Sequence, residues 1–218
     1  MSNNAFILPF ISQIKALKTL EQGFTYNPAR WKGLTEAHRL LLSPYQNRLI
    51  KRNDVIKSFQ EYFEGRCDIL KPFLLTMVWG FGETGYGNHR TNIYISTPAN
   101  IELIESAVEA VKLADFEKGF NLLKKIKFLG VSYITKVLYF ASKAANHASY
   151  CLIFDIRVAT NLIRLTTPNE IYQLVEVYPS SKFKNYQAYN NLIHQIALEH
   201  VLQADDVELF LFTREFNN

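Results

Sequence analysis

The chain has little cysteine and no long hydrophobic run. Its two cysteines, Cys67 and Cys151, are too few for a disulfide framework or a zinc-binding cluster. The longest nearly uncharged apolar run, residues 73–82, is about half the roughly 18–20 residues that span a membrane. The first residues carry no basic segment and no small-residue cleavage site. We therefore expect a cytoplasmic protein that is neither secreted nor inserted in a membrane.

The overall composition is typical of a folded globular protein. Of the 218 residues, 48% are hydrophobic and 20% are charged, which excludes a disordered chain. This length suits one sizeable core or two small lobes that share it. Because we find no internal repeat and no low-complexity linker, we expect a single unit over residues 1–218. We also expect a monomer.

Positive charge is concentrated in two segments, although the net charge is only +4. Residues 30–57 and residues 112–143 each contain seven basic side chains and two acidic ones. The end of the chain, residues 199–218, has five acids and one arginine instead. Basic segments interleaved with aromatic residues suit a polyanion such as nucleic acid. Solvated lysine faces on ordinary helices are the competing interpretation.

Apolar residues spaced three and four apart predict a mainly α fold. The predicted helices cover residues 10–20, 45–63, 101–113, 116–126, 132–146, 156–165, 168–177 and 186–202. The residues Thr-Pro-Asn-Glu at 167–170 predict a capping box at the start of one of them. Strand-like runs are few: residues 74–79, 91–96 and 151–154, of which the last could equally be a buried connector. This pattern indicates a helical unit, with two lobes and a cleft between them as one arrangement.

A short hairpin, Phe-Leu-Gly-Val-Ser at residues 128–132, joins two of the predicted helices. We expect Gly130 to supply the backbone freedom that such a tight turn requires. The helix that follows would point its amide groups and its positive dipole end outward, where a phosphate can bind. The hairpin is therefore a candidate DNA-backbone grip, although glycine turns also join helices in ordinary bundles.

Two charged residues after the hairpin are candidates for catalysis. The helix that begins near residue 132 has an apolar face, and Lys136 and Lys143 lie on its other side. Lys136 is therefore predicted to lie outside the core. Asp155 follows the apolar connector 151–154 and directly precedes a helix, where it is expected to act as the N-cap. A capping role and a catalytic role are compatible.

The hairpin, Lys136 and the residues Phe-Asp-Ile-Arg-Val at 154–158 resemble the helix-hairpin-helix superfamily of DNA glycosylases. The resemblance is greatest to the 8-oxoguanine DNA glycosylase branch, in which a Leu-Pro-Gly-Val-Gly hairpin precedes a catalytic lysine and an aspartate follows. By position, these residues are Lys136 and Asp155. Here Leu129 replaces the proline and Ser132 replaces the second glycine. An ungapped match would align Ile134 with the lysine, so Lys136 requires two inserted residues.

The resemblance implies a helix-hairpin-helix glycosylase-like helical fold with two lobes and a cleft, with residues 112–165 as the hairpin and catalytic segment. It also implies an enzyme that flips a damaged base out of double-stranded DNA and excises it, most readily an 8-oxoguanine-like purine. Asp155 would stabilise the positive charge that develops on the sugar. Lys136 would attack C1′ and form a Schiff base that can lead to strand cleavage. Lys143 is the second candidate for the nucleophile, and a monofunctional enzyme that uses Asp155 and water is also compatible with the pattern.

Further site residues are predicted with less support from the pattern. The predicted DNA contacts are Lys124, Lys125, Lys127, Gly130, Ser132, Lys143, Arg157 and Arg90. The predicted base-pocket residues are Trp79, Phe81, His194 and Gln195, and the candidates for an intercalating wedge are Trp31, Trp79, Phe81 and Tyr86. The five histidines show no metal-ligand spacing. We expect no metal and no cofactor, apart from an optional monovalent cation at the hairpin.

A competing motif lies at residues 80–87, where Gly-Phe-Gly-Glu-Thr-Gly contains the pattern G-x-G-x-x-G. Such a loop cradles a dinucleotide when a strand precedes it and a helix follows it. Residues 88–97 are predicted to be extended, which disfavours a nucleotide-dependent enzyme. The pattern is also compatible with a DNA-binding module without catalysis, and with a glycosylase that excises a hypermodified base from phage DNA in anti-phage defence.

Overall fold

The computed structural model describes residues 4–82, 84–168, 171 and 176–214, and its regular structure is mainly helical. The α-helices are α1 (Ile11–Lys15), α2 (Glu36–Leu42), α3 (Arg52–Phe63), α4 (Leu70–Phe81), α5 (Gly87–Tyr94), α6 (Pro98–Lys112), α7 (Phe116–Leu123), α8 (Val131–Ala144), α9 (Ile156–Thr166), α10 (Phe183–His200) and α11 (Ala204–Thr213). Short 3-10 turns cover Asn4–Phe10, Thr19–Glu21, Pro28–Trp31 and Ser43–Tyr45. Strands β1 (Gly23–Thr25) and β2 (Leu49–Lys51) form an antiparallel pair. Within the described residues, no helix is long and apolar enough to cross a membrane.

The chain divides into two compact units. The first, which we call the hairpin unit, is Leu20–Cys151. The second, the C-terminal unit, consists of the described residues of Met1–Thr19 and Leu152–Asn218. Lys136 therefore belongs to the hairpin unit, and Asp155 belongs to the C-terminal unit.

Helix α8 is the central element of the hairpin unit. It packs against α3, α4, α6 and α7, and ten of its fourteen residues are buried. A helix that is buried on most of its surface needs neighbours on several sides, which these four helices supply. The hairpin that precedes α8 is thus attached to a helix that is mostly buried.

The direction of the chain into the hairpin is set by the close contact of α7 with α6. Asp115 caps α7 by accepting a hydrogen bond from the Lys118 amide at 3.1 Å. Gly119, one turn later, is buried in this contact. A Cβ atom at Gly119 would lie 2.8 Å from Val111 Cγ2 and 3.1 Å from the Ala107 carbonyl oxygen. The missing side chain therefore allows α7 to lie directly on α6.

The C-terminal unit is held together by α11, which packs against α1, α9 and α10. Asn161 of α9 is buried and donates to the carbonyl oxygens of Leu211 at 2.6 Å and Arg214 at 2.9 Å. The last carbonyls of a helix lack partners within the helix, so these two bonds satisfy the end of α11. Helix α9, which begins just after Asp155, is thereby fixed to its neighbour.

Most of the helices predicted from apolar spacing are confirmed. The predictions for residues 101–113, 116–126, 132–146, 156–165 and 186–202 match α6 to α10 with shifts of a few residues at their ends. The prediction for 10–20 is confirmed over α1, and the prediction for 45–63 is confirmed over α3. Residues 49–51 form β2 instead of helix. The predicted helix at 168–177 and its capping box include residues 169, 170 and 172–175, which lie outside the described part of the chain.

Two strand predictions are wrong. Residues 74–79 lie in α4, and most of residues 91–96 lie in α5. Helix α4 is buried at nearly every position from Pro72 to Phe81, so its apolar residues run together without the usual period of a surface helix. Residues 151–154 have no regular structure and form the buried connector.

The expectation that no helix follows the glycine motif is also wrong, because α5 begins at Gly87. The element before the motif, however, is helix α4 rather than a strand, so the strand–loop–helix order of a dinucleotide site is not met. Gly87 itself serves packing: a Cβ atom there would lie 2.8 Å from Phe81 Cβ and 3.0 Å from Trp31 Cη2. Its lack of a side chain is therefore explained by contacts within the hairpin unit.

Replacing Gly119 by alanine should destabilise the protein. The added methyl group meets a backbone carbonyl as well as a valine side chain, so we expect a loss of about 1–3 kcal/mol in the free energy of unfolding. Urea denaturation measures this change. Asn121→Ala, an exposed substitution on the same helix, is the control. Equal unfolding midpoints for the two variants would show that α6 and α7 are not tightly packed at Gly119.

Candidate active site and DNA-binding surface

The hairpin turn is built differently from the sequence prediction. Phe128, and not Gly130, adopts the left-handed conformation, with φ = 68°. Gly130 is the N-cap of α8 with an extended backbone, φ = −75° and ψ = 164°. The expectation that Gly130 provides the unusual backbone of the turn is therefore wrong. Tyr94 holds the turn, because its hydroxyl group donates a hydrogen bond to the Phe128 carbonyl oxygen at 3.0 Å.

Gly130 instead leaves open space at the start of α8. The residue is exposed, and a Cβ atom added to it would meet no other atom within 4 Å. Neither the backbone conformation nor packing within the chain requires a glycine here. The amide end of a helix attracts anions, and a glycine beside it lets a ligand approach the backbone closely.

Two cations flank an exposed aromatic ring at this turn. The Phe128 side chain is 54% exposed. The Arg90 guanidinium carbon lies 4.6 Å from the centre of its ring, and Lys127 Nζ lies 4.8 Å from it. Arg90 belongs to α5, so the structure brings together two predicted DNA contacts that are far apart in sequence. Lys124, Lys125 and Lys127 are all exposed.

The Tyr94 hydroxyl group is suited to its role as a fixed donor. Burial raises the pKa of Tyr94 to about 12, and the nearby positive charge of Arg90 opposes this rise in part. The hydroxyl group therefore keeps its proton at neutral pH. It can hold the hairpin turn throughout the physiological range.

Lys136 is buried, so the prediction that it lies outside the core is wrong. Its side chain is 5% exposed, and its Nζ lies 2.7 Å from Ser132 Oγ and 3.4 Å from the Ser132 carbonyl oxygen. The same nitrogen lies 5.2 Å from the centre of the Tyr133 ring. A buried amine requires polar partners, and Ser132, one helical turn earlier, supplies two.

Gly80 of α4 makes room for the Lys136 side chain. A Cβ atom at Gly80 would lie 2.9 Å from Lys136 Cδ and 3.3 Å from Tyr133 Cε1. The Tyr133 ring stacks on Phe81 with a centroid distance of 4.2 Å. We call this space, lined by Gly80, Ser132 and Tyr133, the lysine slot. The link between Gly80 and Lys136 was missed from sequence because the two residues lie 56 positions apart in the chain.

Asp155 is the N-cap of α9, and this prediction is confirmed. Its Oδ1 accepts hydrogen bonds from the amides of Arg157 at 3.0 Å and Val158 at 3.1 Å. The side chain is 7% exposed. A carboxylate at the amino end of a helix is stabilised by the helix dipole and by these amides.

Three side chains of α10 hold the connector that precedes this cap. The Asn190 side-chain oxygen accepts a hydrogen bond from the Leu152 amide at 2.8 Å. The hydroxyl groups of Tyr186 and Tyr189 donate to the carbonyl oxygens of Leu152 and Ile153, each at 2.9 Å. These bonds satisfy a buried backbone that has no regular structure. They also determine where the following residue, the cap, is placed within the C-terminal unit.

The remaining predicted contacts lie on both units. Lys143, in the last turn of α8, places its Nζ 4.0 Å from the centre of the Tyr150 ring. Arg157 is exposed, and its guanidinium carbon lies 5.4 Å from the centre of the Phe212 ring. Their roles as DNA contacts, and that of Lys143 as the second candidate for the nucleophile, stay predictions.

The four candidates for an intercalating wedge differ in their exposure. Trp31, Trp79 and Phe81 are buried, whereas Tyr86 is 75% exposed. Tyr86 directly precedes α5, the helix that carries Arg90. A ring that enters a base stack must project from the surface, so the exposure favours Tyr86.

Two of the predicted base-pocket residues, Trp79 and Gln195, make contacts within their own units. The Trp79 ring packs edge-on against Phe140 at 5.1 Å, and its indole N–H donates to the Gln22 carbonyl oxygen at 3.4 Å. Gln195 is exposed and donates to Glu199 at 2.9 Å. The base-pocket roles of Trp79, Phe81, His194 and Gln195 stay predictions. Among the described residues, no group of three or more His, Cys, Asp or Glu side chains is arranged to hold a metal ion.

Comparison with known families identifies the class of protein. Residues 17–212 match the family described as "Putative 8-oxoguanine DNA glycosylase OGG-like protein". The match includes the hairpin, Lys136 and Asp155 and covers most of the chain, so the chain belongs to this family. The resemblance inferred from the hairpin and its neighbours is thereby confirmed. No curated protein and no solved structure matches the chain.

Replacing Tyr189 by phenylalanine should loosen the connector. The ring that stacks on Phe154 at 4.2 Å is kept, but the Ile153 carbonyl loses its donor while it stays buried. We expect the free energy of unfolding to fall by about 1–3 kcal/mol. Thermal unfolding measures the change.

Tyr178→Phe is the matched control for this prediction. Its hydroxyl group also makes a hydrogen bond, to Glu176 at 3.1 Å, but the side chain is exposed and water can replace the partner. The control should differ from the wild type by less than about 0.5 kcal/mol. A Tyr189→Phe variant as stable as this control would contradict the importance of the connector bond.

Proposed function

We propose that the protein is a DNA glycosylase that flips a damaged or modified base out of double-stranded DNA and excises it. The proposed substrate is an 8-oxoguanine-like purine, and Lys136 is the proposed nucleophile. The observation that carries the proposal is the position of Lys136. It is a buried lysine in the helix that follows an exposed hairpin, in a chain that belongs to the OGG-like family.

In the proposed reaction, the unprotonated Nζ of Lys136 attacks C1′ of the flipped nucleotide. The bond from C1′ to the base nitrogen breaks, and its electron pair leaves with the base, which takes a proton from water. The new C1′ ammonium loses a proton to water, and the C1′–O4′ bond then opens as O4′ takes a proton. The product is a Schiff base between Lys136 and the sugar, which can undergo elimination and cut the strand.

Asp155 has a separate role in this proposal. Positive charge develops on the sugar as the base departs, and a nearby carboxylate stabilises it. The hydrogen bonds from the Arg157 and Val158 amides use Oδ1 of Asp155 and fix the orientation of its side chain. A carboxylate whose position is set before substrate binds needs little reorganisation during the reaction.

The hairpin surface is the proposed DNA-backbone grip. Lys124, Lys125 and Lys127 supply positive charge, and Gly130 leaves room for a phosphate beside the amide end of α8. Flipping a base costs roughly a few kcal/mol, which these backbone contacts and an inserted Tyr86 ring would offset. No base-specific contact is required of this surface.

Two substitutions test the chemistry. Asp155→Asn keeps an oxygen that accepts the two capping bonds but removes the negative charge, so we expect the excision rate to fall about 10²–10³-fold with little change in stability. Lys136→Gln should abolish trapping on DNA by borohydride and leave DNA affinity nearly intact. The assay uses labelled duplexes that carry 8-oxoguanine, uracil or glucosylated hydroxymethylcytosine, and it scores released base, abasic sites and trapped complexes.

Asp115→Asn is the matched control, because Asp115 also caps a helix but lies outside the proposed site. It should excise at the wild-type rate. An Asp155→Asn variant that excises as fast as this control would contradict the proposed role of Asp155. Wild-type binding to every duplex without release of any base would contradict excision of these three bases and favour a DNA-binding module. Trapping that persists in Lys136→Gln would move the role of nucleophile to Lys143.

Removing two lysines beside the hairpin tests the backbone grip. Lys124→Ala together with Lys125→Ala should weaken binding to all duplexes, whatever base they carry. The slope of log affinity against log salt should fall by about 2, since each phosphate contact contributes about 0.9. Lys15→Ala with Lys18→Ala removes the same charge from exposed residues of the C-terminal unit and is the control. Equal affinities and slopes for the two double variants would contradict the grip.

A further inference from the structure

The lysine slot constrains Lys136 along its whole length. The aliphatic part of the side chain passes the backbone of α4 at Gly80, where an added Cβ atom would lie 2.9 Å from its Cδ. The Nζ end meets the hydroxyl group of Ser132 at 2.7 Å. Gly80 and Ser132, both of the hairpin unit, thus contact the aliphatic part and the amine of this long, flexible side chain.

The Ser132 hydroxyl oxygen can stay bonded to Lys136 in both protonation states. An ammonium group and a neutral amine both carry N–H donors, and the hydroxyl oxygen accepts from either. When the free amine donates one N–H to Ser132 Oγ, its lone pair points elsewhere and stays available for attack.

The contact at Gly80 is of an unusual kind. An added Cβ atom would collide first with Cδ of Lys136, the movable part of a side chain, and not with the backbone of a neighbouring helix. In contrast, a Cβ atom at Gly119 would meet the Ala107 carbonyl oxygen. The absence of a side chain at Gly80 therefore matters more for where Lys136 lies than for how α4 and α8 pack.

From this geometry we infer that Ser132 and Gly80 are positioning residues for Lys136. Gly80 leaves the channel in which the side chain lies, and Ser132 orients its amine towards the substrate. This inference rests on the proposed function, because it assigns to both residues an effect on the reaction that Lys136 performs. It gives Ser132 a role through its side chain in addition to the DNA contact predicted for the hairpin.

Gly80→Ala tests the channel. A displacement of about 1 Å at a reacting group can cost roughly 100-fold in rate, so we expect the single-turnover rate of borohydride trapping to fall by about that factor. The affinity for DNA and the midpoint of thermal unfolding should stay near the wild-type values. Gly119→Ala is the matched control, because it adds the same methyl group to a tight contact of the same unit that does not touch Lys136.

Ser132→Ala tests the orientation of the amine. Loss of this hydrogen bond should lower the maximal trapping rate about 10-fold while the DNA concentration at half-maximal rate stays unchanged. Ser132→Thr keeps the hydroxyl group and should restore most of the rate. Rescue by threonine distinguishes the hydroxyl group from the size of the side chain.

A second measurement requires no DNA. Reductive methylation with formaldehyde and borohydride labels free lysine amines, and peptide mass spectrometry gives the rate at Lys136 relative to that at Lys143 in the same molecule. An amine released from the slot is more accessible. We therefore expect this ratio to rise several-fold in Gly80→Ala and in Ser132→Ala, and to stay unchanged in Gly119→Ala.

The two measurements separate the possible failures. If the wild type traps on no duplex but the labelling ratios change as expected, the slot is correct and the proposed role of Lys136 as nucleophile is wrong. If trapping occurs in the wild type and neither Gly80→Ala nor Ser132→Ala slows it more than Gly119→Ala, the positioning role is overturned. Unchanged labelling ratios in both variants would overturn the slot itself.

Discussion

The burial of the Lys136 side chain is the constraint on which the proposed site depends. An amine removed from water needs polar partners and a place for four methylene groups. Ser132 supplies polar partners from one turn earlier in α8, and Gly80 leaves the place beside α4. Helix α8 also packs against α3, α6 and α7, so Lys136 and the hairpin belong to a helix that is held on several sides.

The amino ends of two helices carry the residues proposed to act on DNA. Gly130 begins α8 and leaves its end open, while Asp155 begins α9 and satisfies its first amides. The two ends use the same helix dipole in different ways: one is proposed to bind a phosphate, and the other stabilises a carboxylate. Asp155 can thus serve stability and chemistry with the same side chain. Its position in turn depends on the three bonds from α10 to the connector.

Features with a strong local pattern were predictable from sequence. The amphipathic helices, the family resemblance, and the cap at Asp155 all follow from residues that lie close together in the chain. Helix α4 was missed because burial on all sides removes the helical period on which such a prediction depends. Strands β1 and β2 were missed because each has only three residues. Short segments take their conformation from tertiary contacts more than from their own sequence.

The candidate site was also predictable only in part. Lys136 was identified by its distance from the hairpin, but its burial was not, since Gly80 and Phe81 of α4, which lie beside Lys136 and Tyr133, are distant in the sequence. The conformational freedom of glycine suggested that Gly130 adopts the left-handed conformation of the turn. Phe128 adopts this conformation instead, and its carbonyl oxygen accepts a hydrogen bond from Tyr94. Contacts between α4 and α8, or between α5 and the hairpin, leave no local signal in the sequence. They are determined by how the helices pack.

The identity of the lysine that becomes linked to DNA tests the account most directly. Wild-type protein is incubated with the duplex that it processes in the presence of borohydride, the complex is digested, and the modified lysine is located by mass spectrometry. The account predicts that the sugar remnant is attached to Lys136. Attachment to Lys143 or to another lysine, or base release without any attachment, would contradict it.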